Sequence, residues 1–88
     1  MTLASEIRRV SDADGAVVLD LRRGTMFRLN RSGSKILDLL ELDTPLRKIA
    51  EQISAEAGAP LAVVEADVAG FVEHLRFHGI LDSGTRKA

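Results

Sequence analysis

Two histidines four residues apart, His74 and His78, are the side chains of this 88-residue chain with the clearest potential for chemistry. At this spacing they lie on one face of a helix, which is the geometry of a two-histidine metal site. A metalloprotease-type site would also need a glutamate between them and a third ligand, but Leu75, Arg76 and Phe77 lie between them. The absence of cysteine from the sequence excludes disulfides, thiolate metal sites and a cysteine nucleophile. We therefore predict that the protein is not an enzyme and has no cofactor and no metal.

The composition is that of one small globular domain, which we expect to span residues 1–88 with a frayed polar tail at residues 82–88. The chain is 45% hydrophobic and 28% charged, which is ordinary for a globular protein. It has no apolar run long enough to span a membrane, and residues 1–10 lack the apolar segment of a signal peptide. We therefore expect a cytoplasmic protein.

The first third of the chain has the alternating pattern of β-strands. Residues 6–10 and 16–21 are predicted strands, separated by small polar turn residues and followed by a tight hairpin link at Arg22-Arg23-Gly24. The second strand has its larger apolar residues on one face: Val17, Leu19 and Leu21. With the strand that follows the link, these segments predict an N-terminal three-stranded antiparallel sheet.

The third predicted strand, residues 25–29, is the one around which we expect the rest to be arranged. Alternation places its side chains on two faces: Thr25, Phe27 and Leu29 on one, Met26 and Arg28 on the other. Asn30 can accept the first free N–H groups of a following helix. Because only helices follow, the far edge of this strand is expected to lack a partner, and an open edge can bind a peptide.

Three helices are predicted after the strands, with boundaries given by capping residues. The first has an apolar stripe: Ile36, Leu37, Leu39 and Leu40. Thr44 at the N-cap and Pro45 at the first helical position start the second helix, and Gly58 ends it. Pro60 starts the third helix and Gly79 ends it, and the two apolar residues after Gly79 are expected to latch onto its last turn.

The third helix has two apolar stripes at helical spacing. The main stripe should pack on the core: Leu61, Val64, Val68, Phe71, Val72 and Leu75. A second strip lies roughly opposite: Val63, Ala66, Gly70 and Phe77. The core cannot cover both stripes, so this helix either has an ordinary exposed apolar strip or forms one wall of a groove.

Motifs in order along the chain resemble the PqqD-like precursor-recognition domains of ribosomal peptide natural-product pathways. They lie at residues 17–21, 24–33, 44–45, 66–71 and 79–81. Residues 29–33 have the form Leu-Asn-x-x-Gly, which looks more like the stand-alone leader-binding proteins of lasso-peptide pathways than like the pyrroloquinoline-quinone protein, where proline-glutamate-glycine is usual. Where those domains carry an aromatic before the position of Arg28, this chain has Met26 and Phe27.

The resemblance implies an α+β fold that is winged helix-turn-helix-like, with the three-stranded antiparallel sheet followed by three helices. It implies that a precursor's leader peptide adds as an antiparallel strand beside the third strand and lies against the third helix. Such a domain has no chemistry of its own. It delivers the precursor to partner enzymes, which in a lasso pathway are a leader peptidase and an ATP-dependent macrocyclase.

We expect the peptide to contact the strand and one flank of the third helix, with Asp67 and His74 at the rim. The predicted peptide-binding residues are Thr25, Met26, Phe27, Arg28, Leu29, Val64, Asp67, Val68, Phe71 and His74.

The net charge of −1 hides two halves of opposite sign. Residues 1–35 contain seven Arg or Lys and four Asp or Glu, whereas residues 36–88 contain five and nine. These are either solvated faces or a sign that the basic half pairs with acidic leader residues. The arginines available for such pairing are Arg28 and its neighbours Arg22, Arg23 and Arg31.

A winged-helix DNA-binding protein is the main alternative, since it would have the same order of hairpin and helices. Its recognition helix would carry Glu65, Asp67 and Glu73 against Arg76 alone, whereas phosphate binding needs positive charge at the contact. The sequence therefore favours peptide binding over nucleic-acid binding. A purely structural or dimerisation module is the remaining reading.

Overall fold

The computed structural model describes residues 1–82 and has an α+β architecture, in which an antiparallel sheet is followed by three helices. The strands are β1 (Thr2–Leu3), β2 (Ile7–Asp12), β3 (Gly15–Asp20), β4 (Thr25–Asn30) and β5 (Leu81–Asp82). The helices are α1 (Arg31–Glu41), α2 (Leu46–Ala57) and α3 (Leu61–Phe77). The predicted α+β class, with strands first and helices after them, is confirmed.

The main sheet has the order β2-β3-β4, with both neighbouring pairs antiparallel. The β2–β3 turn is shorter than the sequence suggests, because β2 continues to Asp12 and β3 begins at Gly15. An Asp12 carboxylate oxygen accepts from the Asp14 N–H at 2.8 Å, which closes this turn locally. β4 therefore lies at one edge of a sheet with a well-defined register.

A second, two-stranded sheet joins the two ends of the described chain. β1 pairs antiparallel with β5, and the N–H of Ala4 donates to the carbonyl of Ile80 at 2.8 Å. This sheet was not predicted, since two-residue strands have no periodicity to detect. Asp82, the first residue of the predicted tail, lies in β5; residues 83–88 of that tail lie outside the described residues.

The core lies between one face of the main sheet and the three helices. From β3 this face contributes Ala16, Val18 and Asp20, all buried, whereas the apolar set Val17, Leu19 and Leu21 lies on the other face of the sheet. Among residues 1–82 no helix covers that outer face, and Leu21, in the turn directly after β3, is largely exposed. The larger apolar residues of β3 are therefore not its core residues. The helices fill the core with Ile36, Leu37, Leu40, Ile49, Ala50, Val64, Val68, Val72 and Leu75.

Capping residues begin the helices close to the predicted positions. The Asn30 side chain accepts from the Gly33 N–H at 2.8 Å, so its predicted capping role is confirmed. Pro45 and Pro60 occupy the N-cap positions of α2 and α3 with extended backbone, and neither helix has a side-chain cap there. The predicted start of α2 is therefore early by one residue, because the ψ of 143° at Pro45 keeps this proline outside the helix.

The C-terminus of α3 ends in the predicted glycine turn. Gly79 has a φ of 71°, its N–H donates to the carbonyl of Arg76 at 3.0 Å, and the Ile80 N–H donates to that of Leu75 at 2.8 Å. These two bonds satisfy helix-end carbonyls that would otherwise lack a partner. Ile80 and Leu81 are buried directly after the turn, as the predicted latch requires.

Asp20 connects the β3–β4 hairpin to this helix end. Its carboxylate is only 2% exposed and accepts from the backbone N–H and the guanidinium of both Arg22 and Arg23, at 3.0–3.3 Å. The same guanidinium groups reach α3, where Arg22 donates to the Gly79 carbonyl at 3.0 Å and Arg23 to the His78 carbonyl at 2.8 Å. Positive charge at a helix C-terminus is favourable because the free carbonyls there carry partial negative charge.

The guanidinium of Arg22 lowers the pKa of Asp20 below its ordinary value by donating to the carboxylate, although desolvation opposes the shift. A carboxyl whose pKa is lowered by folding stabilises the folded state above its unfolded pKa, and this stabilisation is lost as the pH falls through the folded pKa. The pKa values of Asp12 and Glu56 are lowered in the same direction, through Arg28 and Lys35 respectively.

We predict that Asp20→Asn lowers the melting temperature at pH 7 but much less at pH 2–3. As the pH falls from the ordinary aspartate pKa of about 3.9 through the lowered pKa of the folded state, the wild-type carboxyl becomes protonated and, like the amide, no longer carries the charge that holds the two arginines. Circular dichroism melts of both proteins across pH 2–7 measure this convergence. Asp14→Asn, at an exposed turn position, is the matched control and should change the melting temperature little at any pH. A gap between wild type and Asp20→Asn that stays constant with pH would contradict the assignment.

Candidate functional site

A groove of about 470 Å³ lies between β4 and the C-terminal half of α3. It exists because these two elements pack mainly on other partners: β4 on β3 and α1, and α3 on α2. The lining residues come from the hairpin, β4, α3 and the turn after α3: Asp20, Arg23, Thr25, Phe27, Arg28, Leu29, Phe71, His74, Leu75, His78 and Ile80.

The open edge of β4 forms one side of this groove. Within the described residues β4 pairs only with β3, so its other edge carries no strand, as the sequence predicts. In an antiparallel ladder alternate residues direct their N–H and C=O groups to opposite sides. Half of the residues of β4 therefore present main-chain donors and acceptors outward, where another extended chain can pair with them.

Apolar side chains line the middle of the groove. The inward-facing residues of β4 include Phe27, which is 36% exposed, and Leu29, which is buried. Phe71 of α3 is half-buried opposite them, and the buried Leu75 and Ile80 contribute the floor. This arrangement offers side chains from an added strand an apolar surface that is already formed.

The end of the groove beside the hairpin is polar. Arg23, His74 and His78 line it together with Asp20, the cross-strand partner of Thr25. The two imidazole rings contact each other edge to face, with centroids 4.4 Å apart and an interplanar angle of 63°. Within residues 1–82 no cluster of three or more His, Asp or Glu side chains is placed to hold a metal ion. The histidine pair is thus part of the groove wall rather than of a metal-ligand cluster in the described chain.

The structure brings some of the predicted binding residues to the groove and places others elsewhere. The groove-lining members of the predicted set are Thr25, Phe27, Arg28, Leu29, Phe71 and His74. Met26 is 69% exposed on the opposite face of the sheet, and Val64 and Val68 are buried in the core. Asp67 is exposed one turn before Phe71, beyond the lining residues.

Arg28 contributes to the groove through its position on β4 but not through its charge. Its guanidinium donates to the Asp12 carboxylate at 3.0 Å, across the sheet on the side where Met26 also lies. The side chain is therefore directed away from α3. Both groups of this ion pair are about half exposed, so the pair contributes little to stability.

The predicted set of peptide-binding residues lacked five groove residues: Asp20, Arg23, Leu75, His78 and Ile80. Of these, Arg23 was predicted only as one of four arginines that could pair with acidic leader residues. Leu75 lies four residues after the predicted Phe71, and His78 lies four residues after the predicted His74, so the helical period could have found both. Asp20 had no such signal, and the charge of Arg23 did not distinguish it from its neighbouring arginines, because only the folded hairpin brings these two residues to the end of α3.

The second apolar strip of α3 lies next to the groove and is exposed. Val63 and Phe77 are exposed apolar side chains, Phe77 at 85%, and a Cβ at Gly70 would meet no heavy atom within 4 Å. The strip therefore borders the groove without lining it. No helix of residues 1–82 is both long enough and apolar enough to cross a membrane.

Comparison with known proteins identifies a family and two similar structures. The family model of coenzyme PQQ synthesis protein D (PqqD) matches residues 15–81 of the chain. The structure of TbiB1 in complex with the TbiA(beta) leader peptide has a TM-score of 0.84 and 30% sequence identity, covering 99% of this chain and 100% of that one. A structure of lasso peptide synthetase B1 complexed with the leader peptide has a TM-score of 0.83 and 26% identity, covering 90% and 93%. No curated protein matches the chain. The resemblance to PqqD-like recognition domains is therefore confirmed.

Proposed function

Because the chain belongs to the PqqD family, we propose that it binds the leader peptide of a ribosomally made precursor in lasso-peptide or related biosynthesis. The leader adds as an antiparallel strand to the open edge of β4, with its other side against α3. The observation that carries the proposal is this edge, which faces α3 across a partly apolar groove. The two similar structures, each in complex with a leader peptide, support the same activity.

The geometry of the groove suits strand addition. Neighbouring strands lie about 4.8 Å apart, so an added strand occupies the space immediately beside β4. Every second side chain of that strand then points toward α3, onto Phe27, Leu29 and Phe71. Main-chain hydrogen bonds supply affinity without sequence preference, and the groove supplies preference at alternate positions.

In this proposal the protein is a single-domain adaptor in the cytoplasm with no chemistry of its own. It holds the precursor while a leader peptidase and a macrocyclase of the same pathway act on it. The hairpin of β3 and β4 corresponds to the wing of a winged-helix fold, and the added peptide extends this wing by one strand. The arginine and histidine side chains of the groove serve recognition rather than catalysis.

We predict that a leader peptide slows amide hydrogen exchange in β4. New hydrogen bonds to the outward-facing N–H groups protect them from solvent, whereas α2 lies away from the groove and should show little change. Exchange measured by mass spectrometry with and without leader peptides of neighbouring precursor genes tests this. Protection confined to Leu46–Ala57 would rule out strand addition to β4.

We further predict that Phe27→Ala weakens leader binding about tenfold, whereas Met26→Ala changes it less than about twofold. An apolar side chain of this size contributes about 1–2 kcal/mol when its remaining surface is covered, and about 1.4 kcal/mol corresponds to tenfold in affinity. The two residues are neighbours on β4 but face opposite sides, so the pair is a matched test of the groove face.

Titration calorimetry gives both affinities, and thermal melts show that each variant remains folded at the assay temperature. An equal loss in both variants, or a larger loss in Met26→Ala, would place the peptide on the outer face of the sheet.

A further inference from the structure

The arginines of the basic half are not equally available to a peptide. Arg22 donates to Asp20 and to the Gly79 carbonyl, Arg28 pairs with Asp12, and Arg31 donates through Nε to the Ala13 carbonyl at 3.2 Å. None of these three guanidinium groups is directed into the groove as a free cation. Of the four arginines predicted to pair with acidic leader residues, Arg23 is therefore the remaining candidate for a contact in the groove.

The Arg23 guanidinium is held in place by hydrogen bonds from one of its nitrogens. Its Nη1 donates to Asp20 and to the His78 carbonyl, and within the described chain the rest of its guanidinium donates to no oxygen. The side chain is 57% exposed and lines the groove. A guanidinium held in place at one end, with further N–H donors facing a groove, is well arranged to bind a carboxylate.

The charges around this position leave it positive. Among residues 1–82 Asp20 is the only acidic residue that lines the groove, and its single negative charge faces both Arg22 and Arg23. Glu6 interacts electrostatically with Arg22 but does not line the groove. The partial negative charge at the α3 C-terminus is offset, because the carbonyls of His78 and Gly79 already accept from these arginines. His74 and His78 add imidazole N–H donors on the same wall.

We propose that this polar end of the groove, formed by Arg23, His74 and His78, selects an acidic side chain of the bound peptide. The inference rests on the proposed strand addition to β4 and gives the order of residues that the groove accepts. An antiparallel peptide that places one side chain against Phe27 places the residue two positions later against Thr25, beside Arg23. The accepted pattern, from N- to C-terminus, is apolar, any, apolar, any, acidic.

The test uses three synthetic peptides that contain Leu-Thr-Leu-Thr-X between short Thr and Ser flanks, with X being Glu, Gln or Lys. Fluorescence anisotropy titrations against the full chain should give the tightest binding for Glu, at least about threefold weaker binding for Gln and the weakest binding for Lys. Raising the salt to about 1 M should reduce the preference for Glu over Gln, since the carboxylate and the guanidinium meet near solvent.

Arg23→Gln and Arg22→Gln form a matched pair of variants. Arg22→Gln removes two side-chain bonds to Asp20 and Arg23→Gln removes one, each also removes a bond to one carbonyl at the end of α3, and of the two residues only Arg23 lines the groove. Arg23→Gln should bring the Glu-to-Gln affinity ratio close to one while leaving the Gln peptide bound. Arg22→Gln should keep the ratio of the wild type. His74→Gln, at an exposed groove position, should reduce the ratio without affecting the Asp20 contacts.

The outcomes separate the two proposals. Binding of the Gln peptide with no preference for Glu overturns the acidic selection and leaves leader binding intact. Equal ratios in Arg23→Gln and the wild type also overturn the assignment of the acidic contact to Arg23. If none of the three peptides binds, the proposed strand addition to β4 fails together with the selection that rests on it.

Discussion

The buried carboxylate of Asp20 is the contact on which the geometry of the groove depends. It holds two consecutive arginines of one hairpin, and each arginine reaches a different carbonyl at the end of α3. Burying charged groups is costly, so such networks often add little net stability. The effect of this one is geometric: it positions the C-terminus of α3 beside the start of β4, and thus determines where the groove ends.

An open strand edge is usually a liability, because it can pair with any other extended chain. Here α3 stands beside the edge of β4 and limits what can approach it. In the proposed complex a single extended peptide lies between them, whereas a second folded sheet would have to displace the helix. The same helix that restricts access also supplies Phe71 and His74 to the groove, so the proposed main-chain pairing and side-chain selection would arise from one arrangement.

The helix α3 has three faces with different surroundings: the core, the groove and solvent. Val68 and Leu75 pack in the core, Phe71 and His74 face the groove, and Phe77 lies in the exposed strip. Residues three apart on a helix differ by about 60° in direction, which is enough to separate Val68 from Phe71. The single apolar stripe in the sequence therefore covers both the core face and the groove face. For this reason Val64 and Val68, which were predicted to contact the peptide, pack in the core instead.

The sequence by itself determined the features that depend on local chemistry. Alternation predicted β4 and its two faces, Asn30 predicted the start of α1, and Gly79 predicted the end of α3, since each of these rests on neighbouring residues. Because no strand was predicted after β4, its outer edge was expected to be open; the short β5, which was not predicted, pairs with β1 and leaves that edge open in the described residues. The order of motifs predicted the family.

Only the tertiary structure decided which residues meet across the fold. On β3, Asp20 faces the core and the neighbouring Leu19 faces outward. Burial therefore depends on which side the helices cover and not on the apolar pattern alone. Both Arg23 and Arg28 line the groove, but the guanidinium of Arg23 reaches the end of α3, whereas that of Arg28 pairs with Asp12 of β2. Their difference comes from contacts with α3 and β2, which lie far along the chain from them and which local sequence patterns do not encode.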